Sequence, residues 1–187
     1  MAYYYLIAQL PSLVYEQRPP MSSLEFKAIA ISHMSKKDAS LIDQVSFDSD
    51  FSRKIKTGCK FIDNWFNWER ALRLNLAKQR VIKLKRESAQ MEEPPAFPTE
   101  AVMTALKAID EHSPLEGEYL MDKARWNVID DFTGNSYFGR NNIYAYYLKL
   151  LLLERRQTFN NEKGFAEYKS LYAFIVESAQ KTLGEHK

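Results

Sequence analysis

Apolar residues recur along the chain at steps of three and four rather than two. Between Phe51 and Arg86, Leu74, Ala77, Val81 and Leu84 form a narrow seam in a polar background, interrupted earlier at Gly58. This spacing puts side chains on one side of an α-helix, so a long helix is predicted over this stretch. Phe165, Tyr168, Tyr172, Ile175 and Ala179 repeat in the same way and predict a last helix from about Gly164 to Leu183, with Gly184 as terminator. Shorter stripes follow polar caps. Leu24, Ala28 and Ile31 come after Ser22 and Ser23, Leu41, Ile42 and Val45 after Asp38, and Val102, Leu106 and Ile109 after Thr99.

The sharpest local signal is Ser113-Pro114-Leu115-Glu116. Serine can cap a helix, proline has a suitable φ for the first helical position, and the glutamate can reach back to the cap. The helix predicted there carries Tyr119, Trp126 and Ile129 and ends near Thr133-Gly134-Asn135. Another helix is predicted from Asn141 to Phe159. Tyr3 to Leu10, stopped by Pro11, is short enough for a strand or a helical turn, and is read as helix. The prolines in Met91 to Pro98 remove backbone donors and force extended geometry. This segment is read as a linker (91–98) between an N-terminal helical lobe (1–90) and a C-terminal one (99–187), with one compact domain as the alternative.

The fold class is therefore all-α, a multi-helix bundle in two lobes. Composition agrees, since 45% hydrophobic and 27% charged residues suit a folded domain, and 6 glycines and 7 prolines are few for a many-stranded protein. The single cysteine, Cys59, cannot form an internal disulfide, and the N-terminus does not read as a secretion signal, so a cytoplasmic location is expected. The longest apolar run, Ile143 to Leu153, contains Lys149 and is shorter than the roughly 20 residues that span a bilayer.

Catalytic patterns are missing from the sequence. His33, His112 and His186 are not spaced with one another or with Cys59 as helical metal ligands, and no glycine-rich phosphate loop occurs. Adjacent Asp130 and Asp131 point about 100° apart on a helix and do not converge on one atom. No catalytic residue, metal or cofactor is expected.

The informative feature is a basic run. Arg70, Arg73, Lys78, Arg80, Lys83, Lys85 and Arg86 occur with no acid between Glu69 and Glu87. Like charges along one helix attract an anionic partner, so these seven are the candidate partner-binding residues, for an acidic protein or, less favourably, nucleic acid. A solvated helix whose aliphatic stems cover the Leu74 to Leu84 seam accounts for them equally simply. The preceding Phe61, Trp65, Phe66 and Trp68 have helical spacing and are read as core. Tyr137, Phe138, Tyr144, Tyr146 and Tyr147 lead into Leu148 to Leu153, a helix apolar nearly all round that belongs in a core, or in an interface through its tyrosines.

Three blocks carry a resemblance. Tyr3 to Leu10, Asn67 to Lys78, and Arg125-Trp126 followed by Ile143 to Arg155 resemble an uncharacterised bacterial family encoded beside V-type ATPase genes. That family is distantly similar to the V-type ATPase component that joins the central stalk to the proteolipid ring, the C/d family of stalk adaptors. Asn67 with Leu72-Arg73, and Tyr144 or Tyr146 with Lys149 and Glu154, occupy the matching positions. The resemblance implies a shortened, non-catalytic adaptor between the central stalk and the proteolipid ring. It would lie at the cytoplasmic face of the membrane, its partners being other ATPase subunits, with no small-molecule ligand. The alternative is a basic-helix module for nucleic acid or an acidic protein, unrelated to an ATPase.

Overall fold

In the computed structural model, the described residues are 2–47, 56–85, 93–134, 137–159 and 169–173. They fold as α1 (Tyr4–Gln9), α2 (Ser23–His33), α3 (Lys36–Ile42), α4 (Lys60–Lys83), α5 (Thr99–Asp110), α6 (Pro114–Thr133) and α7 (Arg140–Gln157), and residues 169–173 are also helical. No strand occurs among the described residues, and one isolated antiparallel bridge joins Ala2 to Gly139. The protein is all-α. None of the described helices is long and apolar enough to cross a membrane.

Two compact units divide the chain at residues 1–154 and 155–187. In the second, the Arg155 guanidinium lies 5.0 Å from the centroid of the Phe159 ring. The helix expected from Gly164 to Leu183 falls largely outside the described residues. The segments flanking the proline-rich joint, up to Glu154, lie in one unit, where α4 packs against α5 and α6. The joint also runs along α4, whose Asn75 donates Nδ2 to the Ala71 and Pro95 carbonyls, at 2.8 and 3.0 Å.

Local chemistry explains most helix starts. Ser22 and Ser35 accept from the backbone N–H groups of Glu25 and Asp38, at 3.1 and 3.2 Å, satisfying donors that the first turn leaves open. Ser113 caps α6 by accepting from Leu115 N–H at 3.3 Å, with Pro114 in the first turn, and Gly134 at φ 67° ends that helix. The helix predicted from Phe51 to Arg86 is observed as Lys60–Lys83. Gly58, at φ 77°, turns the chain before it, and the Asp63 carboxylate reaches back to accept from Thr57 N–H and Oγ–H at 2.6 and 2.8 Å. Residues 51–55, where its start was expected, and Arg86 lie outside the described set.

The buried face of α4 is formed by its aromatic cluster rather than by the Leu74 to Leu84 seam. Leu74, Ala77 and Val81 are half-buried and Leu84 is exposed, whereas Phe61, Ile62, Trp65, Trp68, Leu72 and Leu76 are buried. The aromatic cluster sets the orientation, because its rings carry far more apolar area than the seam. Trp65 and Trp68 stack at 6.2 Å and are essentially fully buried. Their indole Nε1 atoms have no hydrogen-bond partner among the described residues. A leftover donor costs about 1–3 kcal/mol, while burying an indole is worth roughly 4–6 kcal/mol, so burial wins. The nearly all-apolar α7 is core: Ile143, Tyr144, Leu148 and Leu150 are fully buried.

Candidate partner-binding surface

The seven basic residues meet three different fates. Arg70 is buried, with 7% of its surface exposed. Arg73 donates Nε to Glu69 Oε1 and Nη2 to the Phe47 carbonyl, both at 2.8 Å. Lys78 pairs with Glu93 from the joint. Only Arg80, Lys83 and Lys85 lie in the exposed last turn and C-terminal end of α4, and Arg86 is outside the described residues. The run therefore does not form one continuous cationic face. Arg70 lies among Phe66, Trp68, Glu69, Ala71 and Leu72, all buried, in the half of α4 that carries most of the helix's core residues.

The reason for Arg73's inward turn is Glu69, which is completely buried. Arg125, from α6, holds it with two parallel bonds, Nε to Oε2 at 3.0 Å and Nη2 to Oε1 at 2.9 Å. Its Nη1 donates to Asp122 at 2.8 Å. Burial by itself would raise the Glu69 pKa, but the charges and hydrogen bonds of Arg125 and Arg73 outweigh it and hold the carboxyl below its ordinary value of 4.5. Burial likewise opposes the charge on Arg125, and Glu69 with Asp122 overcomes it, so the guanidinium is held more firmly in its charged form. In the sequence, Glu69 registers only as the boundary of the acid-free run. Two complementary charges 56 residues apart leave no local signal.

A second internal node joins α1, α3 and α7. Asp38 accepts from Tyr3 OH at 2.5 Å and from Arg140 Nη1 at 2.9 Å, and its carbonyl accepts from Tyr144 OH at 2.9 Å. Burial would raise the Asp38 pKa, yet the Tyr3 and Arg140 hydrogen bonds prevail and lower it. Tyr146 donates to the Pro11 carbonyl at 2.9 Å, and burial pushes its pKa up to about 12. Expected from sequence as a helix start, Asp38 is instead a buried tether.

The surface that remains is the end of α4. There Arg80 and Lys83 border a groove of about 310 Å³ with Leu76, Ile109, His112 and Met121 among its lining residues. Lys83 Nζ donates to the Ile109 carbonyl at 2.8 Å. The groove depends on a close approach of α5 and α6. An added Cβ at Gly117 would lie 2.7 Å from the Ala108 carbonyl oxygen, so only glycine fits without a backbone shift. Beside the groove, Ile82 and Leu84 are 58% and 61% exposed. Cations bordering an apolar recess suit an acidic partner that also buries an aliphatic side chain. Asp130, set apart from Asp131 by helix geometry, is mostly exposed and pairs with Lys149. Among the described residues, no group of three His, Cys, Asp or Glu side chains is arranged to hold a metal ion.

Residues 98–178 are similar to a family described as a protein of unknown function (DUF2764). No curated protein and no solved structure matches the chain.

Proposed function

We propose that this chain is a non-catalytic adaptor of a V-type ATPase or ATP synthase, joining the central stalk to the proteolipid ring as a shortened counterpart of the C/d stalk adaptors. The observation that carries this reading is that the three resembling blocks bind one another inside the protein. Tyr3 of the first block and Tyr144 of the third meet on Asp38, and Glu69 of the second is clamped by Arg125 of the third. The resembling residues thus make a frame, and a stiff helical frame suits a part that passes torque between neighbours. In this reading the cationic end of α4 faces an acidic stalk or ring subunit. Its place is the cytoplasmic face of the membrane, reached through the complex.

Two experiments test the proposal. Affinity purification of the ATPase through its catalytic subunits should recover this chain in constant proportion; its reproducible absence from an intact complex overturns the reading. Deleting the gene should leave ATP hydrolysis in isolated membranes while abolishing ion pumping. Pumping that survives deletion excludes the coupling role.

A further inference from the structure

A second surface lies away from the basic helix, where three distant stretches of chain meet. Tyr3 N–H donates to the Phe138 carbonyl at 2.7 Å, and the Ala2–Gly139 bridge brings residues 137–140 alongside the start of α1. From the other direction, Tyr3 OH bonds Ser35 Oγ at 3.4 Å and accepts from Ser35 N–H at 3.3 Å, which sets the start of α3 against the same strip. On this scaffold Tyr4 packs on Phe138 with ring centroids 4.7 Å apart, and Tyr5 stacks on His33 at 5.7 Å. Tyr4 and Tyr5 are nevertheless 63% and 70% exposed, and Tyr137, next to Phe138 in the chain, is 78% exposed. A cluster of aromatics held in place by backbone pairing but left uncovered is costly in water, and such rings are the commonest anchors of protein interfaces.

The segments that build the cluster carry cations and no acid. Residues 1–15, 26–37 and 132–153, which include all three stretches, contain no aspartate or glutamate. The acid next in sequence, Asp38, is buried and satisfied by Tyr3 and Arg140. Lys36 and Lys37 follow Ser35 directly, are exposed, and have no ion-pair partner among the described residues. We propose that this face is a docking site for an acidic segment of a partner protein, one that places an aliphatic side chain among Tyr4, Tyr5 and Tyr137 and carboxylates against Lys36 and Lys37. Tyrosine hydroxyls and lysine ammoniums supply donors for those carboxylates, and the ring faces supply the dry contact. The inference is independent of the ATPase reading, because it rests on this face alone.

The test uses the full chain and three fluorescent peptides of equal length: glutamates alternating with leucines, glutamates alternating with serines, and lysines alternating with leucines. Fluorescence anisotropy at low salt should show binding of the Glu/Leu peptide in clear preference to the other two. The Tyr5→Ala/Tyr137→Ala variant should weaken it by about tenfold or more, and Lys36→Glu/Lys37→Glu by a similar factor. Each altered side chain is exposed, and an unchanged melting temperature shows that the fold survives. Arg80→Glu, at the end of α4, should leave this binding unchanged. The proposal is overturned if no peptide binds, if the Ser and Leu peptides bind equally, or if Arg80→Glu removes binding while the tyrosine variant does not. Preferential attachment to phosphatidylserine vesicles over the Glu/Leu peptide would assign the face to lipid and also overturn it.

Discussion

The two halves of α4 both carry basic residues and use them in opposite ways. Before Leu76 the helix is buried on nearly every side, and its charges, Glu69 and Arg73, are absorbed by Arg125 of α6 and the Phe47 carbonyl. Beyond Leu76 it emerges, and Arg80, Lys83 and Lys85 stand with Ile82 and Leu84 at the surface. A run of basic residues is thus divided in two: an internal clamp and an exposed cationic end. Where the helix leaves the core decides which arginine is structure and which is surface, and a count of charges contains no such information.

The sharpest way to break the comparison is to remove the clamp. Arg125→Met leaves Glu69 and Asp122 buried without their shared counter-charge and should cost about 3–5 kcal/mol, measured by urea unfolding. Replacing Glu69, Asp122 and Arg125 together with apolar residues of similar volume should recover most of that loss. Next comes the spacing that builds the groove. Gly117→Ala forces α5 and α6 apart at the Ala108 carbonyl and should cost about 1–3 kcal/mol in the same assay, opening the recess bordered by Arg80 and Lys83.

Acid should separate the halves without mutation. Glu69 and Asp38 have folded pKa values below their unfolded ones, so the folded state releases those protons more readily. The stability this gives is complete above the ordinary carboxylate values and is lost as pH falls through the lowered folded values. The melting temperature should therefore drop as pH goes below about 4, and Glu69→Gln should flatten that drop. The smallest effect belongs to the exposed half. Arg80→Glu and Lys85→Glu should change stability by no more than about 0.5 kcal/mol, while weakening capture of the chain by an acidic partner at low salt.

The contrast also marks what the sequence made legible. Local signals located several helices: a serine cap at Ser22 or Ser23, Ser113 as a cap, Gly134 as a stop, and α7 as a helix that must be buried, whereas Thr99, read as a cap, lies inside α5 and α3 starts at its Ser35 cap rather than after Asp38. The aromatic quartet was rightly assigned to the core, while the Leu74 to Leu84 seam, whose spacing is equally helical, runs from half-buried to exposed. Spacing gives the period of a helix, and the competition between two stripes is settled by the volume of what packs on each. The clamp was illegible for a related reason. Glu69 and Arg125 are ordinary surface residue types that become interior only because α4 and α6 cross at that level. Of the candidate surface, the basic residues were visible but their division was not, and the groove beside them, with α5 and α6 contributing, had no linear signature.

A single contact links the exposed end of α4 to its neighbour. The Ile109 carbonyl, in the last turn of α5, receives the Lys83 ammonium where a helix ordinarily lacks an intrahelical donor. Lys83 therefore acts as a borrowed C-terminal cap as well as a charge on display. A carboxylate that recruits this lysine leaves the tail of α5 uncapped and prone to fray, so occupancy at one helix would be registered as looser amide protection in another. The last turn of α5 is thus tied to the side chain of another helix, and Lys83→Ala should loosen amide protection there.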